Sequence, residues 1–266
     1  MPPFPRALHA FLLAASALAA PPSGFNLSNV FSSHAVIQRD QAAPFWGWFA
    51  DASRAQSVSL TWLDGAVYRS APSDASGFWR LVAPSSPLHS TPFNLTFKDE
   101  SGSELTLVDL LLGDVLACAG QSNMGAVQVK DMANASALVA SAALLPTLRI
   151  YQVSGNAQSP VRLLEFPSDG LVPWQAPLAG GSNATLLGFS AVCFIMGVTL
   201  YSEYLVGAVP LGLLHSSHGG TSIQAWQSSQ AVVDACGDPS NSWNSSVLYN
   251  SNIHPLTLGP LALRAV

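Results

Sequence analysis

The sequence predicts an α/β domain with a parallel sheet, preceded by a small antiparallel β-sandwich domain. Residues 25–107 alternate apolar and polar side chains in short segments, which is the period of half-buried strands. After residue 107 the pattern changes to short continuous apolar runs and one stretch of helical periodicity, as in buried parallel strands alternating with helices. We therefore expect a β-sandwich over residues 25–107 and an α/β domain over residues 108–266.

The composition limits the class of function. Hydrophobic residues make up 49% of the 266-residue chain, which is enough for a sizeable core and argues against intrinsic disorder. Charged residues make up only 9%, and the formal net charge is −5. An acidic chain has no basic face with which to neutralise phosphates, so we expect no nucleic-acid partner.

The N-terminal segment, residues 1–19, has the features of a signal peptide. Arg6 precedes an apolar run over residues 7–20 that is too short to span a bilayer, and small residues at positions 17 and 19 fit a cleavage site. The alternative, a buried N-terminal helix, is disfavoured because Pro21 and Pro22 follow at once. Five Asn-x-Ser/Thr sequons support export: Asn26, Asn94, Asn134, Asn183 and Asn244. We expect a secreted or lumenal glycoprotein, extracellular or lysosome-like, with no membrane span.

The β half is divided by turn residues at positions 50–53, 64–65, 73–77 and 84–87. Between the turns, apolar residues occupy alternate positions, as at Val58, Leu60 and Trp62. Four tryptophans of this half are predicted to be core residues, with a sugar-stacking platform as the alternative: Trp46, Trp48, Trp62 and Trp79.

In the second half, the apolar runs at residues 110–119, 147–153 and 209–215 are predicted strands of a parallel sheet. The helical stretch at residues 189–205 places one apolar face on Phe189, Val192, Cys193, Met196 and Leu200. Ligands of such sheets bind beyond the carboxyl ends of the strands, so the loops after Ala119 and His215 are the expected site. Residues 154–183, rich in Pro, Gly and Ser, are predicted to be a long ordered loop over that site.

The first of these loops contains Ser122, at the end of a strand and the start of a helix. The helix dipole and free N–H groups at that place favour a developing negative charge, which suits a serine nucleophile. Met124 replaces the last glycine of a Gly-x-Ser-x-Gly elbow, so the α/β-hydrolase turn is not indicated. The alternative is an ordinary N-cap serine.

The second loop contains Gly219 and Gly220. Glycines leave backbone N–H groups open to a ligand, and these groups can complete an oxyanion hole with the N–H of Ser122. The alternative is a tight turn that leads into a helix.

Several blocks of the chain resemble the sialate O-acetylesterases, a branch of the SGNH hydrolases. These blocks are residues 27–40, 113–115, 118–124, 189–193 and 211–226, so the resemblance runs from about residue 25 to the end. The sequence departs from the family pattern at His218, where Trp is usual, and at Gln224, where Glu is frequent.

The resemblance implies an SGNH-type parallel sheet and a serine esterase that hydrolyses O-acetyl esters on sialic acid or other sugars. Ser122 is the implied nucleophile, and its N–H with that of Gly220, preferred over Gly219, would hold the oxyanion. Gln121, Asn123 and Thr221 complete the implied substrate site. The resemblance implies no metal and no other cofactor.

The acid and base of this family lie in an Asp-x-x-His block far downstream, and no aspartate of this chain has a histidine three residues later. We therefore expect only the N-terminal part of the SGNH domain, C-terminally truncated and inactive or nearly so on its own. His218 is the nearest substitute base, but a polar loop residue is the preferred interpretation. His215 and His218 as a metal pair lack a nearby carboxylate.

Three cysteines remain to be placed. Cys118 is predicted to be a small buried hydrophobic residue, and a Cys193–Cys236 disulfide is an option in an oxidising compartment. Two other function classes stay open. One is a non-catalytic carbohydrate-binding secreted glycoprotein, and the other is a structural glycoprotein that makes contacts through the β-sandwich.

Overall fold

The fold was analysed in a computed structural model that describes residues 24–153, 158–236 and 245–259. The strands are β1 Phe25–Leu27, β2 Val36–Gln38, β3 Ala43–Phe49, β4 Val58–Thr61, β5 Val67–Arg69, β6 Phe78–Ala83, β7 His89–Asp99, β8 Glu104–Gly120, β9 Leu148–Gln152, β10 Val172–Gln175 and β11 Leu211–Ser217. The α-helices are α1 Ser122–Gly125, α2 Ala135–Ala142, α3 Ala184–Leu187, α4 Ala191–Thr199, α5 Ser229–Cys236 and α6 His254–Thr257.

These strands form two sheets. One has the order β1-β3-β6 and is antiparallel. The other has the order β10-β9-β11-β8-β7-β4-β5, and β2 pairs in addition with β8. The predicted turns at residues 64–65, 73–77 and 84–87 lie between consecutive strands, because their Asp, Gly and Pro residues suit tight reversals.

The two sheets of the N-terminal half pack face to face through aromatic side chains. Phe45 of β3 lies 5.2 Å from Phe97 of β7 and 5.9 Å from Trp62, measured between ring centroids. Trp46, Trp62 and Trp79 are buried, as predicted for core residues, and buried rings are not available to stack on a sugar. Trp48 is half-buried against Phe78, at 5.8 Å.

Strand β8 belongs to both halves of the chain. Its first part pairs antiparallel with β7, and its last seven residues pair parallel with β11. The predicted boundary at residues 107 and 108 therefore falls inside one continuous 17-residue strand.

The predicted parallel strands are confirmed. Strand β11 lies between β8 and β9 and pairs parallel with both, so that His215 is opposite Cys118 on one side and Gln152 on the other. Strand β10 adds an antiparallel edge. The described part of the chain has a mixed α/β architecture dominated by its sheets.

The predicted apolar face of the helix at residues 189–205 is wrong in part. Helix α4 buries Cys193, Phe194 and Gly197, whereas Val192 and Met196 are 46% and 44% exposed. Gly197 fixes this orientation, because a side chain there would collide with Leu213 of β11. After Thr199 the chain continues as a π-helical turn at Leu200–Tyr204.

The disulfide joins Cys118 to Cys193, with the two Cα atoms 5.8 Å apart. Cys118 is buried, as predicted, but it is bonded to Cys193, so the expected Cys193–Cys236 pairing is wrong. The reason is that the end of β8 lies directly under α4, a contact between residues 75 positions apart in the sequence.

Residues 158–183 only partly match the predicted loop over the site. They contain β10, and their hydrogen bonds connect them to the N-terminal half and to residues 247–254. The indole nitrogen of Trp46 donates to the Leu164 carbonyl at 2.8 Å, and His254 Nδ1 lies 2.9 Å from the Leu163 carbonyl oxygen. Residues 154–157 lie outside the described residues.

The predicted signal peptide and the sequon at Asn244 also lie outside the described residues. The other four sequon asparagines are exposed, at positions 26, 94, 134 and 183. No helix of the described chain has the length and apolarity needed to cross a membrane. Export and glycosylation stay predictions.

An ion pair fixes the segment after β2 to strand β8. Arg39 donates to both carboxylate oxygens of Asp114, from Nε at 3.0 Å and from Nη2 at 3.1 Å. Gln38 adds a hydrogen bond to Asp114 at 3.2 Å and accepts from the N–H of Val115 at 2.9 Å. The hydrogen bond to Asp114 raises the pKa of Arg39, so the guanidinium stays charged throughout the ordinary pH range.

We expect Asp114→Asn to lower the free energy of unfolding by about 2–4 kcal/mol, because a partly buried guanidinium loses its counter-charge. Urea denaturation measures this. The control is Glu104→Gln, which breaks the exposed Lys98–Glu104 pair and should cost less than about 1 kcal/mol. Equal effects of the two substitutions would contradict a structural role of the Arg39–Asp114 pair.

Replacing both disulfide cysteines, Cys118→Ala with Cys193→Ala, should lower the free energy of unfolding by about 4 kcal/mol, as expected for closing a loop of this length. Thermal unfolding with and without dithiothreitol checks this: the reductant should lower the Tm of the wild type and leave the double variant unchanged. Thiol titration of the denatured, oxidised wild type should find one of the three cysteines free. Three free thiols would disprove the bond.

Candidate active site at the ends of strands β8 and β11

The loop after β8 presents Ser122 at the carboxyl end of the sheet. Gly120 ends the strand with φ +153°, and a side chain there would press against Met124 at 3.4 Å. The chain then enters α1, a single turn of four residues, with Ser122 half-buried and Asn123 exposed. Because one turn generates only a small dipole, free N–H groups rather than a helix field must stabilise any anion here.

Gln121 holds Ser122 in place. Its Oε1 accepts from the Ser122 hydroxyl at 2.8 Å and from the Ser122 N–H at 3.1 Å. Gln121 Oε1 therefore occupies the position from which the carbonyl oxygen of an ester would accept a hydrogen bond from the Ser122 N–H. The Gln121 side chain is exposed, so a substrate can displace it.

The second loop lies beside the first, as predicted. The N–H of His218 donates to the Gly120 carbonyl at 3.0 Å, which joins the two loops. At Gly219 an added Cβ would be 3.7 Å from the Ser122 Cβ, whereas Gly220 has a left-handed φ of +75° and open space around it. Gly219 is thus close to Ser122, and the preference for Gly220 as the oxyanion donor stays a prediction.

Hydrogen bonds from the N-terminal end of helix α4 hold the Ser122 loop in place. The Ser190 hydroxyl donates to the Met124 carbonyl at 2.5 Å and accepts from the Cys193 N–H at 3.2 Å. The N–H of Ala191 donates to the Val127 carbonyl at 3.0 Å. With the disulfide, these bonds tie α4 to both ends of the turn that carries Ser122.

His215 is a buried, neutral residue rather than a base for Ser122. Its Nε2 lies 2.9 Å from the Ser217 hydroxyl, and its Nδ1 has no hydrogen-bond partner among the described residues. Burial lowers the pKa of His215 from the usual 6.5 to about 4. The Ser217 hydroxyl in turn packs against Gly125, where a side chain would collide with it.

His218 does not contact the Ser122 hydroxyl through any described hydrogen bond. Its Nε2 lies 3.4 Å from the side-chain nitrogen of Gln158, and its carbonyl accepts from the Thr221 hydroxyl at 2.7 Å. Within the described ranges, the side-chain partner of the Ser122 hydroxyl is Gln121. Nor do those ranges bring three metal-binding side chains together at any place.

Two cavities flank the end of β8. A cavity of about 480 Å³ has residues 119–121 as one wall and residues 221–223 with Trp226 and Ile253 as the other. We call it the Trp226 cavity. A second, mostly apolar groove of about 610 Å³ lies between β8 and the exposed side of α4. Ile223 and Trp226 lie in the matched block at residues 211–226 but have no role assigned from the sequence, and neither has Ile253.

Comparison with known proteins relates the chain to the sialate O-acetylesterases. It is 32% identical to the mouse sialate O-acetylesterase (Mus musculus) over 224 residues, covering 81% of this chain and 40% of that protein. It is 30% identical to the human protein (Homo sapiens) over 251 residues, covering 88% of this chain and 46% of that protein. The chain thus spans less than half the length of these relatives. No protein-family model matches it.

A solved structure supports the same relationship. The crystal structure of a carbohydrate acetylesterase from Xanthomonas citri superposes with a TM-score of 0.69 and 29% sequence identity, covering 90% of this chain and 49% of that one. The predicted resemblance is confirmed, and the relatives are carboxylic ester hydrolases.

The stability of the protein should depend on the pH through His215. An unfolded histidine takes up a proton near pH 6.5, but folded His215 does so only near pH 4. Between these values the unfolded state binds more protons, so the free energy of unfolding falls by about 3 kcal/mol as the pH drops from 6.5 to 4.

Urea denaturation of the wild type and of His215→Gln, at several pH values from 7.5 to 4, checks this. Glutamine does not titrate, so the variant should show a shallower decline over that range. Parallel pH profiles would show that His215 is not the neutral buried group described here.

Proposed function

We propose that this chain carries the nucleophile and the oxyanion-binding loops of a serine esterase that removes O-acetyl groups from sugars. The observation that supports this best is the approach of the two loops, with Gly219 beside Ser122 at the carboxyl end of a parallel sheet. The relatives named sialate O-acetylesterase and carbohydrate acetylesterase support the class of reaction.

In the proposed reaction, Ser122 Oγ attacks the carbonyl carbon of the acetyl ester. The carbonyl oxygen becomes an oxyanion that accepts from the Ser122 N–H, once Gln121 Oε1 has moved away, and from a glycine N–H of the second loop. The base that takes the Ser122 proton returns it to the sugar oxygen, so that the sugar leaves as an alcohol. Water then hydrolyses the acyl-serine to acetate and restores the Ser122 hydroxyl.

The Ser122 proton needs a base. The amide oxygen of Gln121 is its hydrogen-bond partner in the described structure, and an amide is too weak a base to activate a serine. We therefore expect this chain alone to hydrolyse acetyl esters slowly. The same observation favours a second candidate, a non-catalytic carbohydrate-binding protein that uses the same cavity.

Imidazole in solution should act as a substitute base. We expect the Ser122-dependent release of 4-nitrophenol from its acetate ester to rise about tenfold with imidazole, a fraction of the roughly 10²–10⁴-fold that a positioned base contributes. The rate with Ser122→Ala is subtracted, since imidazole itself cleaves this ester. Ser229→Ala, an exposed serine of α5, is the matched control and should behave as the wild type.

Two outcomes would decide against the esterase. If Ser122→Ala keeps the full imidazole-dependent rate, Ser122 is not the nucleophile. If acetylated sugars bind to the wild type but are not cleaved even with imidazole, the carbohydrate-binding candidate is the better description.

A further inference from the structure

The Trp226 cavity adjoins the residues that hold Ser122. One wall includes Gly120 and Gln121, and Gln121 is hydrogen-bonded to the Ser122 hydroxyl. Its volume of about 480 Å³ lies within the roughly 300–1,000 Å³ of pockets that take up a whole small molecule. An acetyl group, with three non-hydrogen atoms, fills only a small part of it. The size of the cavity therefore fits the alcohol portion of an ester rather than its acyl group.

The indole ring of Trp226 is held in a fixed orientation. Its Nε1 donates to the Thr221 hydroxyl at 3.0 Å, and that hydroxyl donates to the His218 carbonyl at 2.7 Å. With its polar atom occupied in this way, the ring offers the cavity a rigid apolar surface. A flat ring of this kind suits the C–H face of a pyranose, whose hydroxyl groups point outward from the ring edge.

The described lining of the cavity carries no charged side chain. Its apolar side chains are those of Trp226, Ile223 and Ile253, and its polar side chains are the neutral ones of Gln121, Thr221 and Ser222. A carboxylate placed against these groups would lose water without gaining a cationic partner, which is costly. Neutral hydroxyl groups, in contrast, can exchange hydrogen bonds with the same amide and hydroxyl side chains.

We propose that the Trp226 cavity is the subsite for the sugar portion of the substrate, with Trp226 as its stacking platform and with a preference for neutral over acidic acetylated sugars. The assignment of the sugar as the leaving group rests on the proposed esterase function. The binding of the sugar does not, because it requires only the cavity.

Binding is measured by isothermal titration calorimetry on the full chain with Ser122→Ala, which prevents turnover. The neutral probe is methyl 6-O-acetyl-α-D-glucopyranoside, and the acidic probe is the methyl glycoside of 9-O-acetyl-N-acetylneuraminic acid. We expect the neutral probe to bind about tenfold more tightly, and Trp226→Ala to raise its Kd about tenfold. Trp226→Phe keeps an aromatic face and should stay within about threefold.

Trp48→Ala is the matched control, because Trp48 is a half-buried tryptophan of the N-terminal half and should leave both Kd values unchanged. Three results would overturn the subsite: binding of neither probe, unchanged binding in Trp226→Ala, or tighter binding of the acidic probe. Thr221→Val, which removes the hydrogen bond to the indole, gives a second reading if Trp226→Ala does not fold; unchanged binding in Thr221→Val would also count against the platform. Failure of the imidazole experiment with intact, Trp226-dependent binding would remove the esterase and keep the subsite.

Discussion

Strand β8 is the constraint on which the rest of the structure depends. It pairs with β7 in the N-terminal half and with β11 in the parallel sheet, so one backbone sets the register of both. A slip of one residue would turn every side chain of such a strand to the opposite face, and most of this strand is buried. The Arg39–Asp114 pair holds its middle, and the disulfide at Cys118 holds its end. The position of Ser122, two residues beyond the strand, is therefore determined by contacts made along its whole length.

The sequence predicted the features that depend on local pattern. Short segments of alternating apolar and polar residues predicted the strands of the N-terminal half. Continuous apolar runs predicted parallel strands, with the loops that contain Ser122 and Gly219 at one edge of the sheet. The apolar pattern alone did not determine which face of α4 is buried, because Val192 and Phe194 are equally apolar. The close contact of Gly197 with Leu213 determines that Phe194 is buried and Val192 is exposed. The disulfide depends in the same way on a long-range contact. Trp226 could not be recognised as a cavity residue, since the composition of its segment is also that of a buried turn.

Under the proposed function, the described residues would hold an oxyanion, but they place no strong base beside the Ser122 hydroxyl. The buried His215 stays neutral and supports Ser217, and the Ser122 hydroxyl is bonded to an amide. The rigid part of the site thus consists of backbone N–H groups and of small residues that lie close to one another. Under the proposed function, such an arrangement would contribute to catalysis through fixed geometry, independently of which group accepts the proton.

The chemistry of the walls, rather than the size of the space, distinguishes the two cavities. The groove between β8 and α4 is the larger and the more apolar, with Leu116, Met196 and Leu200 in its lining beside Thr199 and Tyr204. In the Trp226 cavity, the Gln121 amide adjoins Ser122, and the fixed Trp226 ring belongs to the segment that also supplies the hydroxyl groups of Thr221 and Ser222. An ester between a small acyl group and a sugar has a reactive polar end and a ring of alternating C–H and hydroxyl surfaces. In the proposed subsite, a sugar ring on Trp226 would bind productively with its acetyl carbonyl toward Ser122, so we expect the cavity to set orientation as well as affinity.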